Sequence, residues 1–413
     1  MSTSQAKIPQ VKALEGQASL SYQEALVQCD VRLKQFPRDA KTWHYRSYLL
    51  GLMGRYQEAT VSYQKTLALN GNNPQLWCNY AETLVHCGFL IEAVSAYDRA
   101  IQLAPAYLRA WYKRGETLHC LHDYMAAVES YNQALRLKPN SHRIWFYRGL
   151  ALHHLGQTSK AIESLRTAVK HQANFCQGWT CLGYMLARDK QYKSAIACFE
   201  ASLALQPDNA YIHYYLGCVL RQEGRIAEAL EELERATDLD PLEHRYWYQR
   251  GVVLGELRQY EQAHESLVKA LKRQAYHLEG WLALGLTLRK LDRLEDAIAA
   301  FNKALSIEPN QAVAFFHQAC CYAQQGHLDW AEEHLRRAIA LQPERYIAKA
   351  VAEPALAPLQ KPPLLRPKRF SSGDSRRNLP FVETTLVATN SNCPGYKPCR
   401  LCDQGSYFRK HSY

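Results

Sequence analysis

The chain has 413 residues, of which 47% are hydrophobic and 11% aromatic, and its formal net charge is +11. This composition supports a folded core and excludes a largely disordered chain. No apolar run approaches the roughly 20 residues that span a bilayer, and the N-terminus lacks the apolar segment of a secretory signal, so we expect a soluble cytoplasmic protein that does not bind membranes. From residue 346 onward there are 11 Lys and Arg against 4 Asp and Glu, so the positive charge is concentrated at the C-terminal end.

The chain repeats itself every 34 residues without insertion or deletion. Nine copies begin at Ala40, Pro74, Leu108, His142, Cys176, Ala210, His244, Leu278 and Ala312. A fixed period of this length predicts a solenoid in which each repeat buries its apolar face against its neighbours. We therefore predict a lead-in with a half repeat over residues 1–39 and nine repeats over residues 40–345.

Each repeat has the pattern of two amphipathic helices joined by a turn. Counting from the start of a copy, position 4 is Trp in seven of nine repeats, position 8 is always small, and position 20 is always Ala. Position 24 is Tyr, Phe or Leu. Small residues at positions 8 and 20 predict a close approach of the two helices, with the residues at positions 4 and 24 filling the space between them. Pro at position 32 of six repeats ends the second helix.

The region after the repeats divides into two parts. Residues 346–353 predict one further helix that caps the last repeat, up to Pro354. Residues 354–413 are basic and rich in Pro, Ser and Arg, so we expect a flexible tail.

Ten of the thirteen cysteines precede residue 346 and have no regular spacing, which indicates free thiols in a reducing compartment. The tail holds the only set with ligand-like spacing: Cys393, Cys399, Cys402 and His411. Three Cys and one His could hold a tetrahedral Zn²⁺. The main interpretation is that these cysteines are ordinary thiols in a tail and that the chain has no cofactor. A bound Zn²⁺ is the alternative.

These features make the chain resemble a tetratricopeptide repeat protein, whose motif has Trp, Leu, Gly, Tyr, Ala, Phe, Ala and Pro at positions 4, 7, 8, 11, 20, 24, 27 and 32. The chain departs from this motif at position 11, which is mostly Leu, and at position 7, where four repeats have Arg46, Arg114, Arg148 and Arg250. The resemblance implies an all-α solenoid, wound as a right-handed superhelix. It also implies that the first helices line a groove that binds extended peptides or partner helices.

Positions 2, 5, 9 and 12, flanked by 6 and 13, share one side of the first helix and are predicted to line this groove. The resemblance further implies a carboxylate clamp, of which Asn79, Arg109 and Lys113 match three positions in type, while His44 and Tyr48 replace the other two. Such a clamp would bind an acidic segment of a partner. The alternative is a row of solvated charges. The predicted groove residues are Lys41, Tyr45, Asn79, Arg109, Tyr112, Lys113, Arg143, Phe146, Tyr147, Tyr214, Tyr215, Arg245 and Tyr248.

The aromatic members of this set are predicted anchors for partner side chains, because they stand outside the packing positions. Four histidines fall at positions 12 and 13 and are interpreted as neutral groove residues, with a metal site as the alternative: His86, His119, His153 and His154.

We predict a non-enzymatic scaffold that binds other proteins. The alternatives are an enzyme subunit with repeats like those of a prenyltransferase α subunit, and a single-stranded nucleic-acid adaptor, against which the low charge of the repeats argues. The sequence does not specify an oligomeric state.

Overall fold

The computed structural model describes residues 18–359, and all regular structure in this range is helical. Twenty α-helices and one 3-10 helix follow one another, with no strand between residues 18 and 359. Consecutive helices pack as pairs, so the prediction of an all-α solenoid of helix-turn-helix repeats is confirmed. No helix in this range combines the length and the apolar composition needed to cross a membrane.

The described residues fall into two compact units, 18–173 and 174–359. The helices of the first unit are α1 (Ala18–Gln35), α2 (Ala40–Leu52), α3 (Tyr56–Leu69), α4 (Pro74–His86), α5 (Leu90–Leu103), α6 (Leu108–Cys120), α7 (Tyr124–Leu137), α8 (His142–His154) and α9 (Thr158–His171). The helices of the second unit are α10 (Cys176–Arg188), α11 (Tyr192–Leu205), α12 (Ala210–Glu223), α13 (Ile226–Leu239), α14 (His244–Glu256), α15 (Tyr260–Arg273), α16 (Leu278–Lys290), α17 (Leu294–Ile307), α18 (Ala312–Gln324), α19 (Leu328–Leu341), α20 (Pro343–Ala352) and the 3-10 helix η1 (Pro354–Leu359).

A residue with left-handed backbone stands between the two helices of every repeat. It is always at position 15, and in five repeats it is Gly, as in Gly224 with φ +87°. The other four repeats place a larger side chain there, in His122, Lys190, Arg258 and Asp292. Such a residue costs about 1–2 kcal/mol in this conformation. The packing of the helix pair therefore imposes the turn, because it forms without Gly as well as with it.

The two helices of a repeat approach closely because position 8 is small. A Cβ added to Gly115 would lie 2.6 Å from the ring of Tyr131, at position 24 of the same repeat, and one added to Gly285 would lie 2.5 Å from the ring of Phe301. The Ala at position 20 is fully buried in all nine repeats. The predicted packing roles of positions 8, 20 and 24 are confirmed.

The side chain at position 4 ties the first helix to the turn that precedes it. In six repeats a half-buried Trp donates its indole N–H to the carbonyl oxygen six residues earlier, over 2.7–2.9 Å. His213 replaces Trp and keeps this bond, because its Nε2 lies 2.8 Å from the carbonyl oxygen of Pro207. Its Nδ1 lies 2.6 Å from Glu232 Oε2. Burial lowers the pKa of His213, but the hydrogen bonds to Glu232 and Pro207 outweigh burial and raise it.

Arg at position 7 links three helices. Arg114 donates from Nε to Asp98 Oδ1 of the preceding repeat over 2.7 Å, and from Nη1 to Ser130 Oγ of its own second helix over 2.7 Å. We call this arrangement an arginine bridge. It recurs at Arg46, Arg148 and Arg250. The departure from Leu at position 7 therefore replaces apolar packing with a polar link between neighbouring repeats.

The C-terminal end of the described range differs from its predicted boundaries. Helix α20 begins at Pro343, before the predicted start at residue 346, because Pro343 stands at the first helical position and no turn precedes it. Residues 354–359 were predicted to begin a flexible tail, but they form η1 instead. The reason is that Leu356 and Leu359, 0% and 7% exposed, join the apolar cluster around α18 and α20.

Candidate functional site

The first helices of neighbouring repeats lie side by side within each unit. In the first unit, α6 contacts both α4 and α8, and in the second unit α10, α12, α14, α16 and α18 contact one another in succession. We call the surface that these helices form in each unit the first-helix face. Positions 2, 5, 6, 9, 12 and 13 of the repeats supply its side chains.

An ion pair joins α4 to α6 on the first-helix face of the first unit. Arg109 donates from Nε to Glu82 Oε1 over 2.9 Å and from Nη2 to Glu82 Oε2 over 2.7 Å. The side chains of Arg109 and Glu82 are 45% and 28% exposed, so solvent reaches both. Two parallel hydrogen bonds fix the plane of the guanidinium. Arg109 thus already holds a carboxylate of its own chain.

A second pair lies on the next turn of α6. Lys113 Nζ donates to Glu116 Oε2 over 2.7 Å, and the Tyr112 hydroxyl donates to Glu116 Oε1 over 2.6 Å. Burial, and then the charge of Glu116, raises the pKa of Tyr112, which therefore remains a hydrogen-bond donor.

Asn79 is half-buried on α4 and stands three residues before Glu82, on the same side of the helix. We call these residues the mixed-charge patch: Asn79, Glu82, Arg109, Tyr112, Lys113 and Glu116.

The cationic clamp expected on this face is balanced by acidic side chains that the prediction omitted. Glu82 and Glu116 give the patch as many carboxylates as cations. The pairing follows from the repeat geometry, because position 2 of one first helix lies opposite position 9 of the preceding one, and Lys113 and Glu116 are three residues apart on one helix. The acidic residues at these offsets could have been found in the sequence. The binding role of the patch stays a prediction.

The other predicted cations lie on three different helices. Lys41 and Arg143 are exposed on α2 and α8. Arg245 of α14 donates from Nε and Nη2 to the two carboxylate oxygens of Glu243, over 3.0 and 2.9 Å, and Glu243 is the N-cap of that helix. Tyr45 is half-buried on α2. Tyr147 is also half-buried, and its ring lies 6.0 Å from that of Tyr112, beside the mixed-charge patch.

The expectation that the aromatic groove residues stand outside the packing is wrong for four of them. Phe146 is 1% exposed, and Tyr214, Tyr215 and Tyr248 are each 8% exposed. Tyr214 and Tyr248 stand at position 5, where a side chain fills the space towards the next first helix of the second unit. For example, the ring of Tyr214 lies 5.0 Å from that of Tyr246, at position 3 of the following repeat. Tyr215, at position 6, stacks instead on Phe199 of the preceding second helix with ring centroids 6.1 Å apart, and the ring of Phe146 lies 5.4 Å from that of Tyr147.

A charged group on the first-helix face of the second unit was missed from the sequence. Arg289, at position 12 of α16, donates from Nη1 to His317 Nδ1 over 2.8 Å and from Nη2 to Glu353 Oε1 over 2.6 Å. Burial, and then the charge of Arg289, lowers the pKa of His317 to about 3, so this ring is a neutral acceptor. The only signal for this charged group in the sequence is that Arg289 stands at position 12, a predicted groove position. Its partner Glu353 lies outside the repeat pattern and could not be predicted.

The predicted groove histidines pack against aromatic rings. His86 stacks on Tyr56 with ring centroids 4.4 Å apart, and His154 stacks on Tyr124 at 4.5 Å. The ring of His119 lies 5.4 Å from that of His154. Between residues 18 and 359 no group of three or more His, Cys, Asp and Glu side chains is arranged to hold a metal ion. The tail set of Cys393, Cys399, Cys402 and His411 lies outside the described residues.

Two family models match the chain, and both are described as tetratricopeptide repeats. One matches residues 121–174, 182–244 and 248–312, and the other matches residues 312–345. Together these matches cover more than half of the sequence. No curated protein matches the chain.

Solved structures with a similar fold were found as well. YrrB, a protein of this repeat type described as having an unusual peptide-binding site, is 23% identical, with 46% of this chain and 98% of YrrB covered and a TM-score of 0.42. MamA from Desulfovibrio magneticus RS-1 is 24% identical, with 41% and 95% covered and a TM-score of 0.39. The Cut9–Hcn1 hetero-tetramer of the APC/C is 16% identical, with 81% and 83% covered and a TM-score of 0.46.

Proposed function

The chain belongs to the tetratricopeptide repeat family, and on this premise we propose that it is a non-enzymatic scaffold that binds other proteins through its first-helix faces. The observation that carries the proposal is the mixed-charge patch of the first unit. Its cations and carboxylates are partly exposed and held in place across two neighbouring helices. An extended peptide or a partner helix is the ligand class that such a face fits.

A partner with an acidic segment can bind this patch by exchanging ion pairs. An exposed pair contributes only about 0.2–1 kcal/mol to stability, so the free-energy cost of replacing Glu82 on Arg109 by a partner carboxylate is small. The released Glu82 returns to water. Tyr147 beside the patch adds an aromatic surface for an apolar side chain of the partner. The proposed site therefore consists of Asn79, Arg109, Tyr112, Lys113 and Tyr147.

The two alternative functions gain no support from the described residues. The resemblance to prenyltransferase α subunits lies in Trp at position 4 followed by Arg at position 7, and in this chain that Arg takes part in the arginine bridges and has a structural role. The mixed-charge patch has as many carboxylates as cations, whereas nucleic-acid binding depends on unbalanced positive charge along the phosphate backbone. The cytoplasmic location and a zinc ion at Cys393, Cys399, Cys402 and His411 stay predictions.

The proposal is tested by affinity capture of partners with the full chain. We expect the double substitution Arg109→Glu with Lys113→Glu to reduce capture at least about tenfold, because it places four carboxylates where an acidic segment would bind. The matched control is Arg136→Glu with Lys138→Glu, which makes the same charge change on exposed residues at the end of α7. Equal losses in both proteins would show a non-specific charge effect. Unchanged capture in both would exclude the patch as the site.

A further inference from the structure

The residues that follow the last α-helix cover the first-helix face of the second unit. Helix η1 packs on α18, the first helix of the ninth repeat, as well as on α19 and α20. Leu356 is fully buried and Leu359 nearly so, in one apolar cluster with Phe316 and Cys320. Phe316 and Cys320 stand at positions 5 and 9 of their repeat, two of the positions that form the face. The chain therefore occupies part of its own first-helix face.

The contacts of this segment have a period of three residues. Glu353, Leu356 and Leu359 face the protein, while Pro354, Ala357 and Pro358 are exposed. A 3-10 helix has three residues per turn, so side chains three apart lie on one side of it. The segment thus presents a carboxylate and two leucines along a single edge, in the manner of a bound peptide.

A guanidinium one repeat back receives the carboxylate of this segment. Arg289 lies on α16, 64 residues before Glu353, and its side chain is only 12% exposed. His317 accepts a hydrogen bond from one end of the guanidinium and leaves the other end to Glu353. A cation so shielded from water is costly unless an anion pairs with it. Arg289 and His317 together form a receptor for one carboxylate.

Closing the end of the solenoid does not require this receptor. Tyr346 and Ala350 of α20, each 1% exposed, already cover the apolar surface of the ninth repeat. The bond from Glu353 instead runs along the first-helix face to the eighth repeat. A terminal cap needs apolar contact with the last helices only.

We propose that residues 353–359 are an internal ligand, and that the surface around Arg289, His317 and Phe316 binds in trans a partner peptide of the same chemistry. Such a peptide carries an acidic residue followed by Leu at the third and sixth positions after it. The inference rests on the proposed function and gives it a second site with a stated ligand. Because the internal segment is tethered, it competes at an effective concentration on the order of millimolar. A partner peptide must displace it to bind.

The test measures the binding of a fluorescent peptide with the sequence of residues 351–359, Val-Ala-Glu-Pro-Ala-Leu-Ala-Pro-Leu, to the full chain. We expect the release variant Glu353→Gln with Leu356→Ser to bind the peptide at least about tenfold more tightly than the unsubstituted chain, because its own segment no longer competes. Adding Arg289→Gln to the release variant should weaken binding at least about tenfold, because a charged hydrogen bond is lost. The matched control, Glu344→Gln with Ala348→Ser at exposed sites of α20, should behave as the unsubstituted chain.

The proposal would be overturned if the release variant keeps its helicity but does not bind the peptide. It would also be overturned if Arg289→Gln does not weaken peptide binding to the release variant. Dimerisation of the release variant without peptide binding would also overturn it and would point to a second copy as the occupant. If the release variant loses helicity, the proposal is tested instead by hydrogen exchange of the unsubstituted chain with and without the peptide. Excess peptide should accelerate exchange at Leu356 and Leu359 but not in α17, and no acceleration overturns the proposal. Capture through the mixed-charge patch does not involve Arg289, so the two proposals can fail separately.

Discussion

At the scale of single residues, Ala at position 20 leaves no room for a larger side chain. Ala195 of α11 is fully buried, and in the same repeat a Cβ added to Gly183 would lie 3.1 Å from the ring of Phe199. We expect Ala195→Leu to lower the free energy of unfolding by about 1–3 kcal/mol, because overpacking displaces side chains or backbone. Urea denaturation followed by circular dichroism measures this change.

The control for this prediction is Ala204→Leu in the same helix. Ala204 is exposed, so the same added atoms meet solvent, and the free energy of unfolding should change by less than about 0.5 kcal/mol. Similar losses in both variants would mean that the helix rejects Leu for reasons other than packing at position 20.

The repeat pattern predicted the roles of some residues and not of others. Positions 8, 20 and 24 recur nine times with restricted side chains, so their packing could be inferred from the sequence. Position 5 shares one side of the first helix with positions 2, 9 and 12, and this spacing predicts a groove position outside the packing for residues such as Phe146 and Tyr248. Its burial depends on the angle between neighbouring first helices, and the spacing of residues along one helix does not contain that angle.

At the scale of helices, α6, α7 and α8 meet around a cluster of histidines. His119 of α6 is 6% exposed, and its ring lies 5.1 Å from that of Tyr124 in α7 and 5.4 Å from that of His154 in α8. Burial, and then the charges of His154 and His122, lowers the pKa of His119 to about 4. The folded chain thus takes up a proton at His119 only well below the pH at which an unfolded His does so.

This difference predicts a loss of stability in acid. The unfolded chain binds a proton at His119 near pH 6.5 and the folded chain near pH 4, so stability is complete above pH 6.5 and falls as the pH decreases through this window. We expect the stability advantage of the unsubstituted chain over His119→Gln to shrink by about 2 kcal/mol between pH 7 and pH 5. Urea denaturation at several pH values measures it, and parallel profiles for the two proteins would contradict the shifted pKa of His119.

The element that the sequence did not predict is η1. Its prolines and its place next to a basic Pro-rich region favoured a tail. Leu356 and Leu359 have the spacing of a 3-10 helix, but two leucines indicate a helix only when an apolar surface is available to cover them. That surface, on α18 and α20, exists only after the repeats have packed.

At the scale of the whole molecule, the 34-residue period was sufficient to predict the architecture, because each repeat depends mainly on its neighbours. The period did not predict how charges pair between repeats. Arg109 meets Glu82 and Arg289 meets Glu353 through side chains that do not recur from copy to copy. The candidate sites lie in these irregular residues, and for that reason only part of them could be predicted.

The arginine bridges follow a matching rule between neighbouring repeats. In six repeats the side chain at position 7 is hydrogen-bonded to position 25 of the repeat or half repeat before it. Where position 7 is Arg, its partners are Asp30, Asp98, Asn132 and Glu234. Where position 7 is Tyr80, the partner is Gln64, and where it is Gln318, the partner is Asn302.

This rule predicts which deletions of one repeat keep a charged bridge at the new junction. Deleting residues 108–141 places Asp98 opposite Arg148, so the new junction has opposite charges and is matched, whereas deleting residues 74–107 places Gln64 opposite Arg114 and replaces the acidic partner of Arg114 with a neutral amide. Both variants lose 34 residues, and we expect the matched deletion to melt at the higher temperature by circular dichroism. Equal melting temperatures would show that junctions are interchangeable. By this rule, a shortened or reordered array keeps the bridge at a new junction only where positions 25 and 7 carry complementary side chains.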